Sequence, residues 1–155
     1  MFKSEYVHGI QLRKAKLGIP LLRPASLLPQ TATADFFNIV GGKVLMTLLI
    51  GRISVALGAV GDLTIHENPT TGTTEALCVA ETVSNYALED LVGITGIPGD
   101  GLEPILTGGI SGMETQGVVL RIGTLQWQLT ASSTGEIEWL VFYIPLDDGA
   151  YMSVA

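Results

Sequence analysis

From Thr124 to Thr130 the chain alternates at every position: Thr124, Gln126, Gln128 and Thr130 are polar, and Leu125, Trp127 and Leu129 between them are apolar. A period of two is the side-chain repeat of a β-strand, so this stretch reads as half buried, with one face on a core and one in water. After Ala131-Ser132-Ser133-Thr134-Gly135, the run Glu136 to Ile144 alternates at first and then turns apolar on both faces. It is the expected antiparallel partner, entering a core or an interface at its far end. The hairpin so formed would let Trp127 and Trp139 meet, and these two with Phe142 are the candidate core or oligomer-contact side chains. Pro145 and Asp147-Asp148-Gly149 close the strand, and Tyr151 to Val154 reads as a short edge segment.

Similar signals precede it. Phe36 to Val40, a Gly41-Gly42 turn and Lys43 to Ile50 read as a hairpin whose second strand is buried on both faces. Ser54 to Leu57 and Leu63 to His66 follow, then a Gly/Pro/Thr-rich turn over Asn68 to Thr74, with strand resuming from Glu75 to Glu81. Between Thr82 and Gly117 the pattern weakens. Ala87 to Val92 suits a helical turn or a strand, and Gly96 to Gly101 and Gly108-Gly109 mark the longest expected loops. A chain of 155 residues that is 47% hydrophobic can build one real core, and charged residues at only 15% with 19 glycines favour strands and turns over solvated helices. The expected class is mainly β: an antiparallel β-sandwich or barrel-like body over residues 31–155, with no internal repeat.

Val44 to Val60 approaches the length of a short membrane helix, but Arg52 at its centre would cost about 2.5–3.5 kcal/mol there, and Gly51 and Gly58 weaken a helix. Two buried strands broken near Gly51 are the better reading, and no membrane association is expected. Cys78, alone and within Ala76-Leu77-Cys78-Val79-Ala80, is expected to be a buried structural thiol. Glu5, Tyr6 and His8 stand where a secretory signal would be apolar, so synthesis in the cytoplasm is expected.

Residues 1–30 differ from the rest. Lys3, Arg13, Lys14, Lys16 and Arg23 accompany a single acid, Glu5, whereas fourteen of the fifteen acidic residues lie beyond them with only Lys43, Arg52 and Arg121. Such halves attract one another or seek different partners. Pro20, Pro24 and Pro29 interrupt any long helix, and Leu17, Ile19, Leu21, Leu22, Leu27 and Leu28 are too apolar for a free tail. The segment is read as an extended basic arm that docks on a neighbouring protein surface, with Arg13, Lys14, Lys16, Leu21, Leu22 and Arg23 as its contact residues. Nucleic acid is not the expected partner, because the basic cluster is short and an acidic body repels phosphate.

Motifs for catalysis fail one by one. Gly109-Ile110-Ser111-Gly112-Met113 lacks the second glycine of a nucleophile elbow, and Gly41-Gly42-Lys43 lacks both the first glycine and the Ser or Thr of a phosphate loop. His66 and Glu67, adjacent on one strand, point to opposite faces and cannot converge on a metal, and Asp147-Asp148-Gly149 lacks the spaced ligands of a calcium loop. No cofactor or metal is expected, and no enzymatic activity. The enzymatic alternative is a small β-barrel hydrolase using His66 with an acidic partner.

A resemblance accompanies this reading. Ser26-Leu27-Leu28-Pro29-Gln30-Thr31-Ala32-Thr33-Ala34 leading into Phe36 to Val44, together with Ser132 to Gly135 and Val141 to Ala150, resembles small structural proteins of tailed bacteriophages. The similarity spans most of the chain after the arm and is carried by strand and turn patterns. Within that class it implies a capsid decoration or cement protein on the virion surface, partnered by the major capsid protein and by itself as a homotrimer. The other role it leaves open is a tail or head-fibre component that contacts a host receptor or glycan.

Overall fold

The computed structural model describes residues 9–58, 61–84, 86–105 and 116–155. In chain order, α1 (Gly9–Leu17) leads into β1 (Ile19–Leu27), β2 (Thr33–Val40), β3 (Val44–Val55) and β4 (Asp62–Pro69). Short strands follow: β5 (Glu75–Ala76), β6 (Glu81–Thr82), β7 (Leu91–Gly93), β8 (Glu103–Ile105) and β9 (Val118–Leu120). The chain ends with β10 (Gly123–Leu129), β11 (Glu136–Pro145) and β12 (Tyr151–Val154).

Two six-stranded sheets result. The first runs β1-β11-β3-β7-β8, with β9 also on β3; the second runs β12-β2-β10-β4-β5, with β6 also on β4. All pairings between these strands are antiparallel. The molecule is therefore a β-sandwich, and the barrel-like alternative falls because both sheets stay open.

The period-two pattern explains the packing. On β10, Leu125, Trp127 and Leu129 are buried, and they join Phe37 and Ile39 of β2 and Leu63 and Ile65 of β4 on the inner face of the second sheet. Met46, Leu49 and Ile53 of β3 and Ile137, Trp139 and Val141 of β11 meet them from the first. Trp127 and Trp139 do touch, edge to face at 5.9 Å and 83°, with Phe36 5.8 and 5.2 Å from their rings. They meet across the sandwich and not across a hairpin, because β10 and β11 belong to different sheets.

The same correction applies to Phe36–Ile50. β2 and β3 are no hairpin: the Gly41-Gly42 corner carries the chain from one sheet to the other. Each strand has one buried row, and crossing over lets both rows face the same core from opposite sides. Gly41 adopts φ +78°, and a Cβ there would lie 2.3 Å from the Gly149 carbonyl oxygen, so the corner admits glycine alone.

Gly51 also departs from expectation. β3 runs unbroken through it, and the glycine makes room for the core: a Cβ would sit 2.8 Å from Ile137 Cγ2 and Val92 Cγ2 and 2.9 Å from Trp139 Cζ3. Where strand was expected from Glu75 to Glu81, only β5 and β6 form, because the chain between them bends inward to bury Leu77 and Cys78. Ala87 to Asp90 makes a turn before β7, with Glu89 at φ +71°.

The N-terminal segment is the largest difference. Residues 9–17 are helical and not extended, and residues 19–27 form β1, paired with β11 of the same chain from Ile19 against Tyr143 to Leu27 against Glu136. An arm reaching away from a body describes neither piece. β1 is an edge strand of the sandwich, and its prolines suit an edge, where a missing N–H costs no ladder bond. Leu28, next in the chain, is 1% exposed and belongs to the core.

Candidate interaction surface

Each strand of the first sheet also has an outer row, and over much of β1, β11 and β3 these rows are apolar. Register places Pro20, Phe142 and Leu48 side by side, then Leu22, Leu140 and Ile50, and Ile144, Leu45 and Val119 at the other flank. None of these nine belongs to the core cluster. Leu22 and Val119 are 52% and 51% exposed, and Leu45, Ile50, Leu140 and Ile144 are half-buried. Singly exposed apolar residues are ordinary on a protein surface, but a band that spans four strands marks a face that meets another apolar surface.

Helix α1 lies over the Phe142 row of this band, between its other two rows. The Arg13 guanidinium sits 5.9 Å from the centre of the Phe142 ring, and the Thr47 hydroxyl donates to the Leu17 carbonyl, pinning the helix end to β3. Phe142 and Leu48, on the outer side, are only 4% and 5% exposed. A groove of about 520 Å³ opens between α1 and β11, bounded by Lys14, Ala15, Gly18, Ile19, Tyr143 and Ile144. Lys14 and Lys16 project into water.

At the far end the band gives way to acid. Arg52 of β3 binds Glu138 of β11 at 3.0 Å and Glu89 at 2.8 Å. Glu136 stands beside Leu27 at the end of β11, and Glu103 opposes Gly93 in the Ile50 row. The face thus carries bases over its Phe142 row, apolar rows on either side of that row, and an excess of acid around the end of β11.

The six expected arm contacts divide between helix α1, which carries Arg13, Lys14 and Lys16, and β1, where strand parity separates Leu22 from Leu21 and Arg23. Arg13, Lys14, Lys16 and Leu22 lie on or over the outer face. Leu21 and Arg23 do not. Leu21 packs on the core, and Arg23 turns inward so that its guanidinium lies 5.3 Å from the Trp127 ring centre while it donates to the Ser26 hydroxyl. Partial burial lowers the Arg23 pKa. Its hydrocarbon stem covers the open side of the sandwich, which alternation along β1 dictates once Leu22 faces out. Of the other three candidates, Trp127 and Trp139 are core residues and only Phe142 faces outward.

Leu140, Ile50 and Leu45 were not singled out in the sequence. Their signal was present in the runs Val44–Ile50 and Trp139–Ile144, apolar at both parities, which period-two reasoning assigns to core and interface together.

Two further carboxylates, Glu67 and Asp147, brace the fold. Glu67, 5% exposed, accepts from the Arg121 backbone N–H at 2.5 Å and from its guanidinium at 2.7 and 3.2 Å, closing the mouth of the sandwich. His66 faces the other way from Glu67, as strand parity requires, and lies beside Gln126 in the polar outer row of β4 and β10. Burial lowers its pKa, opposed by a hydrogen bond with Gln128. Asp147 accepts from the Lys43 backbone N–H at 2.7 Å, which makes that acid a corner clamp. Burial raises the pKa of the Cys78 thiol. His8 and Ser111 lie outside the described residues. Among the described residues no group of three His, Cys, Asp or Glu side chains could hold a metal ion.

The outer face of the second sheet is different in kind. Thr124 and Gln126 of β10 both donate to Asp35 of β2, at 2.9 and 2.7 Å, and Asn38 donates to Ser153 of β12 at 3.4 Å. It is a polar ladder of amides and hydroxyls.

No family model matches the sequence, and no curated protein matches it. Among solved structures, the chain is similar at 16% identity and a TM-score of 0.14 to a chain in the structure of infectious bursal disease virus, Gx strain. The match covers 88% of this chain and 33% of that one, so this chain spans about a third of that chain's length. A likeness of that size carries no argument about fold or role.

Proposed function

We propose that the chain is a structural protein of a tailed-phage virion, of the capsid decoration type, that binds the outside of the major capsid lattice and steadies the head. The observation that carries the reading is the apolar band on the outer face of the first sheet, with a basic helix over its Phe142 row. Such a band covered by shell subunits would gain roughly 25 cal/mol for each Å² of hydrocarbon removed from water, and the α1 bases would pair with acid on the shell. A ligand that binds the assembled lattice better than loose subunits stabilises it by mass action. No step of this role needs chemistry from the chain.

The experiment is co-sedimentation with purified heads of the phage that encodes the chain. Full-length protein is expected to pellet with heads, and Leu22→Glu with Lys14→Glu and Lys16→Glu is expected to lose at least about tenfold in affinity, which is about 1.4 kcal/mol. Equal occupancy by the two proteins contradicts the reading.

A second reading has its own observation. The polar ladder of the second sheet, with Thr124 and Gln126 both donating to Asp35, suits a hydroxyl-rich ligand, as a tail or head-fibre component contacting a host glycan would require. Binding to a glycan array that Gln126→Ala abolishes would favour it over the first.

A further inference from the structure

At one end of the second sheet lie two adjoining clefts that share Thr70 and Ile122 as a common wall. The first, of about 270 Å³, is bounded further by Lys43, Thr71, Arg121 and Asp147, and so takes in two of the three bases of residues 31–155. The second, of about 370 Å³, is bounded by Asn38, Val40, Thr124 and Ser153 of the outer face. Together they form one groove whose walls are fixed from within the fold. Asp147 accepts from the Lys43 backbone N–H at 2.7 Å, and the Leu146 N–H donates to the Lys43 carbonyl at 3.0 Å. The Ile122 carbonyl accepts from both the N–H and the hydroxyl of Thr70, at 2.8 and 3.1 Å, and Glu67 holds the Arg121 guanidinium. A ligand in such a groove spends little on ordering it.

Polar groups remain for that ligand. Among the described residues, the Lys43 ammonium and the Thr71 hydroxyl have no hydrogen bond or ion pair, and Asp147 keeps a second carboxylate oxygen. The side-chain carbonyl of Asn38 is also unused, since its amide nitrogen makes the bonds to β12. Charge is balanced, with Lys43 and Arg121 against Asp147 and Glu67. An anion, which only accepts, would face Asp147 in one cleft and Asp35, bonded to Thr124, at the other. A cation, which only donates, would face Lys43 and Arg121. A hydroxyl donates, accepts and carries no charge, so a ligand built of hydroxyls meets every wall. Hydrocarbon is present as well: Ile122 stands 44% exposed between the clefts, and Val40 and Tyr151, paired in register, are 38% and 49% exposed. Sugar rings offer both, hydroxyls at the edge and C–H groups on the face.

We propose that this groove binds a neutral oligosaccharide, with ring hydroxyls on Lys43, Thr71, Asp147 and Asn38 and a ring face on Ile122. The inference rests on the glycan reading of the second sheet, and narrows it to one end of that sheet and one class of ligand. The groove lies on the sheet opposite the apolar band, so it leaves that band free for a protein partner.

The test is binding of the full chain to a printed array of neutral, sialylated and sulfated glycans, each hit then titrated calorimetrically as the free oligosaccharide. Neutral glycans are expected to bind. Lys43→Met with Thr71→Ala, and separately Ile122→Asp, are each expected to weaken that binding at least about tenfold. All three side chains are exposed, and native circular dichroism spectra of the variants establish that folding is retained. A preference for sialylated or sulfated glycans, no glycan bound, or binding indifferent to either variant overturns the proposal. Gln126→Ala, which lines neither cleft, separates the two claims. Binding that Gln126→Ala abolishes and the groove variants leave intact sinks the groove alone, and binding that the groove variants abolish and Gln126→Ala leaves intact sinks the ladder as the contact alone.

Discussion

Gly51 shows how a single side chain, by its absence, sets the packing of this sandwich. Its Cα lies where Val92, Ile137 and Trp139 converge, and an added methyl would lie within 3 Å of all three. Gly51→Ala is expected to cost about 1–3 kcal/mol by overpacking, read as a lower urea midpoint at unchanged slope. An unchanged midpoint would show that the core yields there. His66 contributes through its charge. Its folded pKa lies below the ordinary value of about 6.5 because burial disfavours the imidazolium. The unfolded chain therefore takes up the proton first, so the stability linked to His66 is present above the unfolded pKa and is lost as pH falls through the folded one. His66→Gln should accordingly flatten the decline in unfolding free energy from pH 7 to pH 5. A slope equal to that of the parent would mean the ring titrates alike in both states.

Among the elements, α1 and β1 have opposite relations to the core. The helix covers only Phe142 and its neighbours on the outside, while β1 contributes Leu21 and Arg23 to the inside and pairs along β11. Removal of residues 1–17 is therefore expected to leave a cooperatively folded sandwich, whereas removal of 1–27 should strip an edge strand, uncover Trp127 and abolish cooperative unfolding. Circular dichroism melts of the two truncations check this, and equal melting temperatures would contradict it. Much of this level was legible in the sequence. The alternation of β10, the burial of the runs that became β3 and β11, and the edge role of β12 all follow from periodicity and turn residues. What periodicity does not carry is which strands pair. A turn such as Gly41-Gly42 serves a hairpin or a crossing between sheets equally well, and only the presence of a second buried row across the core decides. The charge of residues 1–30 likewise indicated a partner without saying that half of those residues would find it within their own chain.

For the whole molecule, two faces divide the surface by chemistry. The second sheet shows water a ladder of Thr, Gln, Asn and Asp side chains, and the first shows a band of Leu, Ile and Val crossed by a basic helix. The band is the candidate site, and it was half visible beforehand: strands apolar at both parities need cover on both sides, and the core covers only one. The central claim is that this face meets protein. Cryo-electron microscopy of assembled particles containing the chain tests it most directly. The account predicts polypeptide density packed within contact distance of Leu22, Leu140 and Ile50, with the polar ladder turned to solvent. Density on the ladder with those three side chains bare to water would contradict it.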